Sequence, residues 1–93
     1  MEAVYKSGKA KAIGVSNYQT HHLADLLEEA EIIPAVNQIE CYPYLSQAAT
    51  IQYCLERNIR PEAWGPLGAG KSDILTNPVI TEIAKKRGLT PAQ

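Results

Sequence analysis

No stretch of this chain approaches the roughly 20 apolar residues that a membrane-spanning helix needs. The N-terminus, with Glu2 and the pair Lys6 and Lys9 around Gly8, also lacks the apolar core of a signal peptide. Charge of one sign is equally scarce: nine basic residues stand against ten acidic ones, a formal net charge of −1. Such a balance exerts no bulk pull on nucleic acid or on an anionic membrane, so neither is an expected partner. Cysteine is limited to Cys41 and Cys54, which are not in CxxC spacing. They read as reduced thiols rather than as a disulfide or a metal site, and a cytoplasmic setting is the expectation.

What is present is alternation between strand and helix patterns. Apolar alternation and β-branched residues predict strands at Ala12–Val15, Ala35–Ile39 and Ile59–Trp64. Helical spacing links Leu23, Leu26, Leu27 and Ala30, then Ser46 to Arg57, then Val79, Ile80, Ile83 and Ala84. Thr20 and Ser46 are the expected N-caps, Asn77-Pro78 supplies a cap followed by proline at the first helical position, and Gly88 stands where a helix should stop. A βαβαβα order of this kind implies parallel strands. Met1 to Lys6 read as the last turns of a helix and Thr90 to Gln93 as a capping box. Residues 1–93 are therefore expected to be a single piece of a larger domain.

Parallel α/β proteins hold ligands at the carboxyl ends of their strands, where loops and helix N-termini converge. Ser16 and Asn17 end the first expected strand, Gln38 and Glu40 lie near the end of the second, and Trp64 ends the third. Ser, Asn and Gln side chains carry the donors and acceptors that clamp a primary amide, and an indole face can stack on a ring. Each residue alone has a plainer reading: Ser16 and Asn17 as a turn, Gln38 as a strand-end partner of backbone, Trp64 as core. His21 and His22 are adjacent, so on a helix they diverge by about 100° and cannot chelate one metal; they read as a solvated helix start. Glu28, Glu29 and Glu31 read as an exposed acidic helix end.

Three segments together carry a resemblance. Lys11-Ala12-Ile13-Gly14-Val15-Ser16-Asn17-Tyr18, Pro34-Ala35-Val36-Asn37-Gln38-Ile39-Glu40 and Ala63-Trp64-Gly65-Pro66-Leu67-Gly68 resemble, in order and spacing, signature segments of the aldo-keto reductases. The resemblance implies a partial (β/α)8 barrel of about three consecutive βα units, since a whole barrel takes roughly 250 residues. It also implies an NADP(H)-dependent reductase that converts aldehydes and ketones to alcohols, with NAD(H) as the other possible cofactor and a small carbonyl compound as substrate. Ser16, Asn17 and Gln38 match the family residues that bind the carboxamide, and Trp64 matches the aromatic residue that packs on the nicotinamide ring. Gly65, Pro66, Leu67 and Gly68 match the loop that wraps the pyrophosphate. The family's catalytic Asp, Tyr, Lys and His lie before the matched region, so the resemblance assigns no catalytic residue here and implies that the chain alone is inactive.

Other readings compete. Gly65 to Ser72 also satisfies the phosphate-cradling pattern G-x-x-x-x-G-K-S, which would bind ATP or GTP. Against it, Asn77-Pro78 restarts a helix six residues after Ser72, and no other expected strand ends in an aspartate able to hold Mg²⁺. A non-catalytic, nicotinamide-sensing member of the barrel fold is a third reading. Within the family resemblance, Gly65 stands where many members carry serine, and Tyr42 stands where histidine is frequent. Pro61 predicts a bulged or irregular third strand, because proline removes a ladder donor.

Overall fold

The computed structural model describes residues 1–93, in the order α1 (Glu2–Lys6), β1 (Gly14–Ser16), α2 (Thr20–Glu29), β2 (Val36–Glu40), α3 (Ala48–Leu55), β3 (Arg60–Trp64) and α4 (Pro78–Arg87), with a 3₁₀ turn at Gly68–Gly70. The three strands form one parallel sheet in the order β1-β2-β3. Each expected strand and helix is present, with ends displaced by one to three residues where the last turn frays or the ladder shortens.

Register divides the side chains between two faces. Ser16 pairs with Gln38 and Gln38 with Glu62, while Glu40 pairs with Trp64; because strand side chains alternate, these residues and Arg60 share one face. Val15, Asn37, Ile39, Pro61 and Ala63 lie on the other. That second face carries the core, where Leu23 of α2 and Cys54 of α3 meet Ile59, with Val15, Tyr18, Leu27 and Tyr53 packed around them. Only nine residues are buried, which follows from helices covering one side of the sheet while the other stays open.

The capping expectations need two corrections. Gln19, not Thr20, caps α2: its backbone N–H donates to Nδ1 of His22 at 3.0 Å, and its own side chain accepts from the third helical amide. Gln47, not Ser46, precedes α3 and takes a left-handed conformation with φ 53°. Asn77 does cap α4, accepting from the Val79 amide at 3.0 Å ahead of Pro78, and Gly88 ends that helix with φ 65°. At residue 90 the Gln93 side chain accepts the Thr90 N–H at 2.9 Å, the reciprocal half of a capping box.

Pro61 does not bulge β3. Arg60 donates its N–H to Ala35 and the ladder runs in step from Arg60 to Trp64. Successive strand amides point in opposite directions, so the nitrogen of Pro61 faces the free edge of the sheet, where no ladder donor is required. α1 is held by charge and capping: the Glu2 carboxylate accepts the N–H groups of Glu31 and Ile32 at 2.8 and 2.9 Å, and Lys6 pairs with Glu31.

Candidate functional site

β1 ends in a sharp turn that the sequence builds with two asparagines. Asn37, fully buried in β2, donates through Nδ2 to the Tyr18 carbonyl at 2.9 Å and accepts the Tyr18 N–H, which clamps the chain just past Asn17. Asn17 itself sits at φ 59°, a region its short amide tolerates. Its N–H donates to the Gln38 carbonyl at 2.8 Å, and the Ser16 hydroxyl donates to the same oxygen at 3.0 Å. Asn37 belongs to the second signature segment, yet nothing in the sequence assigned it this role; the buried face of β2 was the available signal.

The strand ends bring the expected residues together. The Trp64 indole N–H donates to Oδ1 of Asn17 at 2.8 Å, joining β3 to β1 across β2. Gln38 donates through Nε2 to Oε1 of Glu62, its register partner. Trp64 remains 39% exposed, so its ring is not consumed by the core. The rim thus offers an indole face, the NH₂ group of Asn17, the carbonyl of Gln38 and the lone pairs of the Ser16 hydroxyl. Glu62 carries no local signal in the sequence, because strand register is what places it beside Gln38.

Beyond Trp64 the chain folds into a glycine-rich loop. Gly65, Gly68 and Gly70 have φ of 64°, 74° and 74°, a region closed to most other residues without strain. The Gly68 N–H is spent on Gly65 and the Lys71 N–H on Gly68, both at 2.9 Å. Pro66 has no N–H, so of the first three loop residues Gly65 and Leu67 offer donors to an anion. A cleft of about 220 Å³ lies between Glu40, Tyr42 and Trp64 on one side and Gly68, Ala69, Lys71 and Ser72 on the other. Lys71 and Ser72 lie in bends, and the next helix starts only at Pro78. A P-loop needs its helix to start at the Lys-Ser pair, so Gly65 to Ser72 does not have that architecture.

A second layer fixes the loop from outside. The Tyr44 hydroxyl donates to Oδ1 of Asp73 and accepts from Nδ2 of Asn77, each at 2.7 Å. The carboxylate of Asp73 holds the Tyr44 hydroxyl above the usual tyrosine range. Ile74, 1% exposed, anchors the same segment and lies against the position of Gly68. Elsewhere, Cys41 and Cys54 are free thiols, the second of them buried. His21 and His22 are exposed at the start of α2, as are Glu28, Glu29 and Glu31 at its end. No helix is long and apolar enough to cross a membrane.

The aldo/keto reductase family model matches residues 1–93. Glyoxal reductase of Bacillus subtilis (strain 168) is 50% identical over the whole chain, which covers 33% of that protein. Among solved structures, MGS-M4, an aldo-keto reductase from a Medee basin deep-sea metagenome library, superposes with a TM-score of 0.91 at 44% identity, over 97% of this chain and 34% of its own. A point variant of Gox0644 in complex with NADPH gives a TM-score of 0.86 at 41% identity, over 97% of this chain and 32% of its own. The chain therefore spans about a third of the length of the relatives it matches, and its parallel three-stranded sheet corresponds to part of their barrel.

Proposed function

The chain belongs to the aldo/keto reductase family, and on that premise we propose that it forms the nicotinamide-binding part of an NADP(H)-dependent reductase that converts aldehydes and ketones to alcohols. The observation that carries this reading is the meeting of Ser16, Asn17, Gln38 and Trp64 on one rim, where Ser16 and Trp64 end β1 and β3, Gln38 is the middle residue of β2 opposite Ser16, and Trp64 is bonded across to Asn17. The Asn17 NH₂ faces the need of a carboxamide oxygen, the Gln38 carbonyl and Ser16 lone pairs face the need of its NH₂, and the indole supplies a stacking surface. Gly65, Pro66, Leu67 and Gly68 lie beside Trp64 and present two backbone donors to a pyrophosphate.

The residues present fit a nicotinamide cofactor, which supplies the hydride; those of this chain bind and orient it. The family's catalytic Asp, Tyr, Lys and His match no residue of this chain, and on that resemblance we assign the 93 residues binding and no turnover. The two cysteines, free thiols outside CxxC spacing, favour a cytoplasmic setting.

A hybrid tests the proposal: this chain replaces the corresponding third of the Bacillus subtilis glyoxal reductase, and reduction of a simple aldehyde by NADPH is followed beside the purified chain. The expected result is turnover by the hybrid and none by the chain alone. A folded hybrid that fails to bind NADPH would overturn the proposal, and aldehyde turnover by the chain alone would overturn the assignment of binding without catalysis.

A further inference from the structure

An amide side chain can present either end to a ligand, and which end it presents decides what it recognises. In this site both amides have partners that admit one orientation. The Trp64 indole is a donor only, so Asn17 must turn its oxygen toward Trp64 and its NH₂ outward. The Glu62 carboxylate is an acceptor only, so Gln38 must turn its NH₂ toward Glu62, at 2.5 Å, and its carbonyl outward. The outcome is one donor, just past the end of β1, and one acceptor, on the adjacent β2, the complement of a primary amide.

We propose that Glu62 is a positioning residue that fixes the orientation of the Gln38 amide and so makes the site selective for a carboxamide over groups that lack its NH₂. Glu62 acts through Gln38 and needs no contact with the ligand. It is exposed on the open sheet face between Arg60 and Trp64, it makes no core contact, and its register pairing with Gln38 puts the two side chains side by side. Once a ligand covers it, an acceptor facing a methyl group is costly, whereas one facing an NH₂ is satisfied. With glutamine at position 62, either orientation of Gln38 finds a partner, and the discrimination should relax.

This inference rests on the nicotinamide reading, and the test separates the two. The probes are NADP⁺ and its 3-acetylpyridine analogue, which carries the same charge and differs in that a methyl group replaces the carboxamide NH₂. Their dissociation constants are measured with the purified chain and with the hybrid, in the unaltered sequence, in Glu62→Gln, in Gln38→Ala and in the double variant. The unaltered site should prefer NADP⁺ by about tenfold, one hydrogen bond's worth. Glu62→Gln should cut that preference several-fold, and the same substitution should do nothing further in the Gln38→Ala background. A preference unchanged by Glu62→Gln, or an effect that persists without Gln38, would overturn the positioning role while leaving the nicotinamide site standing. Absence of NADP⁺ binding in every form would overturn both.

Discussion

Tyr44 and Asp73, 29 positions apart, share a 2.7 Å hydrogen bond that ties the loop after β2 to the segment after the glycine-rich turn. The bond needs the phenol proton. The hydroxyl is therefore held above its ordinary range, chiefly by that hydrogen bond to Asp73. The sign follows: a group whose folded value is raised lends stability below its unfolded value and loses it as pH climbs through the folded one. Amide exchange in residues 71–77 should thus quicken above about pH 10, the ordinary tyrosine value. In Tyr44→Phe that added sensitivity should vanish and the segment should exchange faster already at neutral pH.

Glu2 gives the opposite sign at the other end of the chain. Its carboxylate is held below its ordinary range, first by the hydrogen bond from the Ile32 N–H. The contribution is present above the ordinary carboxylate value of about 4.3 and is lost as pH falls through the lowered folded value. Exchange of the Glu31 and Ile32 amides should accelerate across that acid window. Glu2→Ala should make both amides fast at every pH.

The glycine-rich loop allows a controlled comparison. Gly68 and Gly70 have the same φ of 74°, but a Cβ on Gly68 would lie 2.0 Å from the Ser72 hydroxyl oxygen and 3.1 Å from Ile74, whereas Gly70 has open space. Alanine at either position carries the left-handed strain of about 1–2 kcal/mol. Gly68→Ala alone must also displace Ser72. Denaturant unfolding should therefore show Gly68→Ala as the more destabilised of the two, and NADPH affinity of the hybrid should drop only with Gly68→Ala.

Much of the fold was legible because its signals are local. Apolar alternation located all three strands, and the pair Asn77-Pro78 and the stop at Gly88 located α4. The cap expected at Thr20 falls instead on Gln19, whose side chain also accepts from the Thr50 hydroxyl, a partner 31 positions away that no local pattern displays. Pro61 suggests a bulge by local pattern alone, because its place at a free edge is a matter of sheet order. In the site, Ser16, Asn17 and Trp64 are legible as strand ends; Gln38, expected near the end of its strand, is the middle residue of β2. Asn37, Glu62 and Tyr44 are not legible, since each acts on a residue at least 19 positions away.

Lys71 separates loop chemistry from nucleotide-triphosphate chemistry. Its side chain is exposed and its backbone N–H is already spent on Gly68. Lys71→Ala should leave the NADPH affinity of the hybrid within about tenfold, or about 1.4 kcal/mol. Saturable Mg²⁺-dependent ATP binding should be absent with or without the substitution, as equilibrium dialysis would record.

The central claim is that the rim ending in Trp64 holds the nicotinamide, and the affinity of the hybrid for NADPH with and without the Trp64 indole tests it most directly. Calorimetric titration of the hybrid and of its Trp64→Ala variant gives both values. Loss of ring stacking and of pocket burial should weaken binding by about 1–3 kcal/mol while the fold, whose core lies on the opposite sheet face, persists. An unchanged dissociation constant in a folded variant would contradict the account.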